Sequence, residues 1–140
     1  MEDCVFCKII KGEIPTEKVY EDDKCLAFLS INPNNDGHTV LIPKIHYKNY
    51  FETPDDVLAY IASQAKKLGP IIQKVVNAEG MNIITNIEKA AGQVVFHTHF
   101  HLIPRYGNDG HKHWITKEYK DNMANLIAEK IKKFLDDKDL

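Results

Sequence analysis

The sequence has little of what marks a secreted, membrane-spanning or polyanion-binding protein. It contains only three cysteines, an odd number that does not suit a disulfide framework. No apolar run approaches the roughly 20 residues that cross a bilayer, and the start, Met1-Glu2-Asp3-Cys4, has no basic and apolar leader. The net charge is −2, which gives no sign of a surface for long nucleic acids. These absences predict a cytoplasmic protein with neither a membrane nor a long nucleic acid as partner.

What is present is an ordinary globular composition. Hydrophobic residues make up 44% of the 140 positions and charged residues 27%, both within the range of folded proteins. A chain of this length buries roughly 68–70% of its unfolded surface, so its core needs no covalent staple. We therefore expect a single domain over residues 1–140. Cys25, within an apolar run, is expected to be part of its core.

Three of the seven histidines, His97, His99 and His101, occur at every second position of the run Phe96–Pro104. Side chains alternate between the two faces of a strand, so the three imidazoles are predicted to share one face. On a helix they would be spread over about 200°. The neighbouring valines and phenylalanines are typical of strands. The pattern therefore predicts a strand over Val94–Ile103, with chemistry on one face and packing on the other.

Two kinds of chemistry fit this arrangement. A neutral imidazole can attack phosphorus and form a covalent intermediate, and His99, flanked on both sides, is the natural nucleophile. In that role its second nitrogen keeps the proton and is anchored by an acceptor such as a backbone carbonyl. The alternative is a metal held by all three histidines, because imidazole suits zinc, copper, iron and nickel. The residue pattern alone leaves both open.

The remaining hydrophobic pattern predicts an α+β domain. Four further strands are expected at Lys18–Glu21, Cys25–Leu29, His38–Pro43 and Met81–Asn86. Three helices are expected, of which the first is short and spans residues 4–11. The second is long and central, with Thr53 as its N-cap, Pro54 as its first residue, a kink at Pro70 and its end at Gly80. The third is C-terminal and spans about residues 116–137. Together they predict a five-stranded antiparallel sheet with segregated helices.

The run His97–Ile103 resembles the His-φ-His-φ-His-φ-φ signature of the histidine triad nucleotide hydrolases and transferases, with Thr98 only partly apolar. Other segments resemble family landmarks in the same order, namely Phe6–Pro15, Ala27–Pro33, Gly37–Lys44 and Ala91–Gln93. The resemblance covers about residues 4–105 and is strongest to the small phosphoramidate hydrolases and their bacterial relatives. It implies a HIT-like fold and a homodimer whose two sheets are joined side by side.

The resemblance also implies residue roles. His99 corresponds to the nucleophile that attacks the α-phosphorus, His101 to the histidine that contacts phosphate, and His38 to a fourth active-site histidine. Gln93 and Asn86 correspond to amides that hydrogen-bond phosphate or bridging oxygens, a task that suits directional, uncharged donors. An apolar pocket for a purine base would be formed by Val5, Phe6, Ile9, Ile14, Phe28, Leu29, Ile31 and Val40. Without the resemblance these apolar residues would be assigned to the core.

Two positions depart from this branch of the family. Ser30 stands where phosphoramidate hydrolases commonly have an aspartate that binds the ribose hydroxyls, and losing that charge-assisted hydrogen bond costs roughly 1.5–3 kcal/mol. Val94 stands where a serine or threonine often assists the leaving group, and it offers only its backbone N–H. We expect looser ribose selection, and protonation of the leaving group by a histidine or water.

Cys4 and Cys7 form a C-x-x-C pair whose one-turn spacing places both on one face of the first predicted helix. Two such thiols can share a tetrahedral zinc with two histidines. In zinc-binding relatives these are the histidine after Pro-Lys and the first triad histidine, which correspond here to His46 and His97. The prediction is a structural zinc, with no cofactor needed for the chemical step. The alternatives are a redox pair, whose βαβ context is lacking, and two unrelated core cysteines.

The sequence therefore predicts hydrolysis of purine nucleoside 5′-phosphoramidates or related nucleotidyl esters through a nucleotidyl-histidine, with release of a nucleoside monophosphate. One alternative is a dinucleoside polyphosphate hydrolase. A second is a nucleotide-binding interaction protein with vestigial activity, which Ser30 and Val94 would favour. A third is a metal-binding module built on the triad. His111 and His113 follow the matched region and are interpreted as surface or dimer residues.

Overall fold

The computed structural model describes residues 3–137, which form two units, the first ending at Asp109 and the second starting at Gly110. The first unit contains helices α1 (Val5–Ile10) and α2 (Asp55–Val75) and strands β1 (Lys18–Glu21), β2 (Cys25–Leu29), β3 (Thr39–Pro43), β4 (Gly80–Ile84) and β5 (Phe100–Arg105). Two short 3₁₀ helices lie at Tyr50–Glu52 and Lys89–Ala91. The second unit contains helix α3 (Met123–Asp136).

The five strands form one antiparallel sheet in the order β1-β2-β3-β5-β4. This confirms the α+β class and the antiparallel sheet. Strand β3 is buried along its whole length and pairs with β2 and β5. His101 on β5 lies opposite Val40 on β3 and Ile84 on β4. The predicted phosphate-contacting histidine is therefore held on an interior strand of the sheet, between β3 and β4.

Alternating side chains of the sheet form two hydrophobic clusters. On one face, α1 packs through Phe6 and Ile9 onto Leu26, Phe28, Val40 and Ile42. On the other face, α2 packs through Ile61, Ala65 and Leu68 onto Cys25, Ala27, Leu41 and Leu102. Full burial of such a side chain stabilises the fold by roughly 1.5–3 kcal/mol. Directly opposed residues of an antiparallel pair share a face, so His101, opposite Val40, lies on the α1 face. Cys25 is fully buried, as predicted.

The histidine strand is shorter than predicted. Strand β5 begins at Phe100 rather than Val94, so only one of the three histidines lies on it. The preceding residues bond to the end of β3 and the connection after it instead of continuing the ladder. The His97 ring bonds the carbonyl of Pro43, the last residue of β3, and the backbone N–H of Thr98 donates to the carbonyl of Tyr47. Two other strands also differ at their ends, since β3 starts after His38 and β4 ends at Ile84.

The helices differ from the prediction at their ends. Thr53 does not cap α2; Pro54 occupies that position, and the buried Thr53 hydroxyl bonds the carbonyl of Asn49 and the hydroxyl of Thr98. Helix α2 continues through Pro70 and ends at Val75, five residues before Gly80. In the second unit, α3 starts at Met123 rather than near residue 116, and every described residue from 111 to 137 is exposed. None of the helices in residues 3–137 combines the length and apolar character that crossing a bilayer requires.

Candidate active site

The three alternating histidines are neighbours in space, although only His101 lies on a strand. The rings of His99 and His101 are 4.9 Å apart between centroids and edge-to-face. The ring of Phe6 on α1 packs edge-to-face against two histidine rings. The distance between ring centroids is 5.9 Å to His97 and 5.0 Å to His99. Helix α1 therefore covers the histidines with an apolar ring, and His97 and His99 are only 0% and 5% exposed.

His99 has the hydrogen bonding that a nucleophilic imidazole requires. Its Nδ1 lies 2.6 Å from the carbonyl oxygen of His97, and because a carbonyl only accepts, the hydrogen is on Nδ1. The Nε2 atom therefore keeps its lone pair. Burial lowers the pKa of His99, which favours the neutral ring. The backbone on the other side of His99 is also fixed, because the Thr85 hydroxyl donates to the His99 carbonyl over 2.8 Å.

His38 and His101 form a second hydrogen-bonded chain. The backbone N–H of Asn34 donates to Nδ1 of His38 over 3.1 Å, so the hydrogen of His38 is on Nε2. That Nε2 lies 2.9 Å from Nδ1 of His101 and donates to it, which places the His101 hydrogen on its own Nε2. Burial lowers the pKa of both rings, that of His101 to about 4. His101 is therefore a neutral ring that presents an N–H donor.

Cys4, Cys7, His46 and His97 form a cluster whose four ligand atoms all lie within 4.8 Å of one another. The sulfur-to-Nδ1 separations are 3.4, 3.4 and 3.6 Å, and the two Nδ1 atoms are 3.2 Å apart. Tetrahedral zinc, with Zn–S of about 2.3 Å and Zn–N of about 2.0–2.1 Å, requires N–N and S–N separations of about 3.3–3.6 Å. These four separations fit such an ion.

The surroundings of this cluster suit a cation. His97 donates from Nε2 to the carbonyl of Pro43 over 2.8 Å, which turns the Nδ1 lone pair toward the cysteines, as the outer hydrogen bond of a metal-bound histidine usually does. Burial lowers the pKa of His97 to about 4 and lowers that of His46, so both rings are neutral ligands. Burial, together with Cys4, raises the pKa of the Cys7 thiol to about 11. A thiolate here therefore needs a neighbouring positive charge.

Gln93 is 2% exposed and ties together the loop before the histidines. Its Oε1 accepts from the backbone N–H of Glu88 over 2.9 Å, and its Nε2 donates to the carbonyls of Lys48 and Val95 over 2.8 and 3.1 Å. Because both amide hydrogens have partners, contact with a phosphate would require Gln93 to exchange one of them. Asn86 is half-buried in the loop after β4.

The residues predicted to form the base pocket fall into two groups. Phe6, Ile9, Phe28 and Val40 are buried in the cluster under α1, and Val5 and Ile14 pack against it. Leu29 and Ile31 are exposed, at 37% and 87%. Ser30 is half-buried, and its Oγ accepts from the backbone N–H of Asn32 over 3.3 Å. Val94 is 85% exposed and lies with Val5 and His46 along a groove beside the metal-ligand cluster.

Sequence reasoning missed three contributors to the site. Thr85 holds the carbonyl of His99, Asn34 holds a ring nitrogen of His38, and the Pro43 carbonyl orients His97. Two of these contacts use backbone atoms, for which residue type gives no signal. The signal for Thr85 was its place beside Asn86 at the end of a predicted strand.

This chain is similar in sequence and fold to known proteins. Residues 11–108 match the HIT domain. The chain is 49% identical over 107 residues to the adenylylsulfatase HINT3 of Arabidopsis thaliana, covering 76% of this chain and 54% of that protein. It is 44% identical over 106 residues to the adenosine 5′-monophosphoramidase HNT1 of Candida albicans, covering 73% and 70%. A solved HIT-family structure from Bacillus subtilis superposes with a TM-score of 0.85 at 40% identity, covering 94% of this chain and 96% of that one.

Proposed function

Because this chain belongs to the HIT-domain family of nucleotide hydrolases, we propose that it hydrolyses purine nucleoside 5′-phosphoramidates or related nucleotidyl esters to a nucleoside monophosphate. The observation that carries the proposal is the hydrogen bond from Nδ1 of His99 to the carbonyl of His97, which leaves Nε2 as a buried, unprotonated nucleophile. A relative named as a monophosphoramidase and another named as an adenylylsulfatase support the substrate class. Both named activities cleave a bond to a nucleotide phosphorus.

In the first step the lone pair on Nε2 of His99 forms a bond to the α-phosphorus, and the bond between phosphorus and the leaving group breaks. The leaving group takes its proton from water, because His101 and His38 are neutral and Val94 has no hydroxyl. The nucleotidylated His99 carries a positive charge, which strengthens its Nδ1–H bond to the carbonyl of His97. The Nε2–H of His101 donates to a phosphate oxygen, where negative charge accumulates.

In the second step water attacks the phosphorus, the N–P electron pair returns to Nε2, and the water protons pass to product and solvent. The nucleoside monophosphate leaves and His99 is again neutral. This division into two displacements is the usual advantage of a covalent intermediate. Gln93 and Asn86 are proposed to bind phosphate oxygens, and the apolar residues around Phe6, together with Leu29, Ser30 and Ile31, to bind the nucleoside.

We further propose that Cys4, Cys7, His46 and His97 hold a structural zinc. The ligand separations and the orienting bond to Pro43 support it. When bound, the ion would fix α1, which contains Cys7 and has Cys4 as its N-cap, to the segment that carries the triad. The nucleophile and the phosphate-facing donor use other atoms, so the chemical step needs no cofactor.

A homodimer joined through strand β4 is also proposed. Within residues 3–137, β4 pairs with β5 alone and lies at the edge of the sheet. Apolar side chains nearby on the chain's surface, Ile71, Val75 and Ile83, are 50–74% exposed. An edge strand beside exposed apolar groups is a suitable place for a second sheet to pair.

The test of the proposed function compares wild-type protein and His99→Gly with an adenosine 5′-phosphoramidate. Wild-type protein should release AMP and, after a rapid quench in denaturant at alkaline pH, which preserves an N–P bond, carry a nucleotidyl group on the His99 peptide in mass spectrometry. The variant should show neither while keeping its circular dichroism spectrum and its affinity for AMP. Unchanged turnover by His99→Gly would show that His99 is not the nucleophile. A much higher kcat/KM for diadenosine polyphosphates would favour the dinucleotide alternative, and AMP binding without an adduct would favour a nucleotide-binding interaction protein.

A further inference from the structure

The loop that precedes His38 is fastened to the end of β5 by one carboxamide. Nδ2 of Asn35 donates to the carbonyl oxygen of Pro104 over 2.8 Å and to Oδ2 of Asp109 over 3.0 Å. These contacts join residues about 70 positions apart in the chain. Asn35 belongs neither to the triad, nor to the cluster of Cys4, Cys7, His46 and His97, nor to the predicted purine pocket.

The acceptor of this amide is itself held firmly. The side chain of Asp109 is only 5% exposed, and its Oδ2 also accepts from Nε of Arg105 over 2.8 Å and from the backbone N–H of Tyr106 over 3.0 Å. Arg105 continues the network, because its Nη1 donates to Oδ1 of Asn82 on β4 over 2.7 Å. Asn35 is therefore attached to the end of β5 that is farther from the histidines and, through Asp109 and Arg105, to Asn82 of β4.

The same loop determines which nitrogen of His38 carries the hydrogen. The backbone carbonyl of Asn35 accepts from the N–H of His38 over 3.1 Å, and the neighbouring Asn34 N–H donates to Nδ1 of that ring. His38 then has its hydrogen on Nε2 and donates to Nδ1 of His101. If the loop moved away, His38 would be free to carry its hydrogen on Nδ1. His101 would then carry its hydrogen on Nδ1, and its Nε2 would present a lone pair instead of an N–H to the phosphate.

We propose that Asn35 is a positioning residue for phosphoryl transfer: its carboxamide holds the 34–38 loop against β5, and the loop fixes the hydrogen of His101 on Nε2. This inference rests on the proposed function in one respect, that His101 faces the phosphate. Asn35 touches no reacting atom in this account. It acts through His38 and His101, and its removal should therefore change how donors are arranged more than how nucleotide is bound.

The hydrogen positions can be measured without substrate. Long-range ¹H–¹⁵N spectra of the imidazoles should show both His38 and His101 with hydrogen on Nε2 in wild-type protein. Asn35→Ala should convert these signals to a mixture of tautomers. Asn35→Asp, which keeps the shape but places a carboxylate against Asp109 and the Pro104 carbonyl, should do the same. Asn108→Ala removes an exposed amide beside Asp109 and is the matched control, with spectra like wild type.

Kinetics supply the second measurement. Asn35→Ala should lower kcat about 5- to 20-fold, less than the roughly 100-fold cost of losing a whole transition-state donor, with KM nearly unchanged. In a His101→Ala background the same substitution should cause little further loss, because it acts through His101. Wild-type tautomers in both Asn35 variants, or a loss of kcat that persists in full without His101, would overturn the proposal. Absence of a His99 adduct in wild-type protein would instead refute the proposed function, whatever the spectra show.

Discussion

The Nδ1–H of His99 is bonded to the backbone carbonyl of His97 over 2.6 Å, while the ring of His97 faces Cys4 and Cys7. The nucleophile thus depends on the backbone of a residue whose side chain belongs to the metal-ligand cluster. The two sites share a residue but not an atom. Damage to the cluster should accordingly affect stability first and chemistry second.

The first prediction concerns the metal. Wild-type protein should contain one zinc per chain by metal analysis, and Cys4→Ser should weaken binding by more than the roughly 10- to 100-fold that loss of an outer-shell partner causes. The thermal midpoint should fall because α1 loses its attachment, yet His99 should still form an adduct. Cys25→Ala, which alters a cysteine on the opposite face of the sheet, should retain the metal. Zinc that survives in Cys4→Ser but is lost from a His101 variant would place the metal on the triad.

The second prediction concerns Thr85, whose hydroxyl donates to the carbonyl of His99. Thr85→Val keeps the side-chain shape and removes the donor. The loss of one hydrogen bond, about 0.5–1.5 kcal/mol, should lower kcat by about 2- to 13-fold with little change in KM. Thr85→Ser keeps a hydroxyl and should recover most of the activity. If Val and Ser variants behave alike, the bond does not position the nucleophile.

The third prediction concerns ribose selection. Because Ser30 offers a hydroxyl and no carboxylate charge to bind the ribose hydroxyls, wild-type protein is expected to hydrolyse adenosine and 2′-deoxyadenosine phosphoramidates with similar kcat/KM. Ser30→Asp should raise the preference for the ribose substrate by roughly 10- to 150-fold, the equivalent of a charge-assisted bond of about 1.5–3 kcal/mol. The gain should come from the ribose substrate alone. Strong ribose preference in wild-type protein would show that another residue binds the hydroxyls.

The fourth prediction concerns acid stability and Asp22. Burial would raise the pKa of its carboxyl, but hydrogen bonds from Tyr60, from the backbone N–H groups of Lys24 and Cys25, and from Tyr20 outweigh it and hold the pKa well below the usual 3.8. Because the folded pKa is depressed, this stabilisation is fully present above about pH 4 and is lost as the pH falls through the folded pKa.

Urea denaturation of Asp22→Asn should therefore show lower stability than wild type at pH 7, by about 1–3 kcal/mol, the usual cost of hydrogen bonds to a charged group. The difference should narrow as the pH is lowered below about 4. Comparing variant with wild type at each pH removes the effect of acid on the other titrating groups. A difference that is constant from pH 7 to pH 3 would mean that the carboxylate charge contributes nothing.

Local pattern was sufficient for much of the fold. The apolar residues of β1 and β2 and the periodicity of α2 located these elements. Strand β2 is buried at four of its five positions, and α2 buries a stripe that includes Ile61, Ala65 and Leu68. The alternating positions of the three histidines correctly predicted that their rings lie close together, although β5 starts only at Phe100. The short segment before β5 departs from a strand because the His97 ring bonds the last residue of β3 and the Thr98 N–H bonds the chain that follows it.

Contacts between segments that are far apart in the chain could not be predicted from the sequence. Thr53 has the residue type of a helix cap, but its hydroxyl is used by Asn49 and Thr98. Asn35 lies in a segment rich in turn-forming residues, and nothing in that sequence indicates that its amide bonds to Asp109. Such partners depend on the folded sheet, which brings together residues that have no common periodicity.

Strand β3 is buried at all five positions, lies between β2 and β5, and is covered by a helix on each face. Its amide hydrogens are therefore expected to exchange with solvent only when the whole unit unfolds. His38 comes one residue earlier, and its N–H is held by the Asn35 loop alone. Deuterium uptake at two adjacent residues thus separates the lifetime of the fold from the lifetime of the loop that prepares the site.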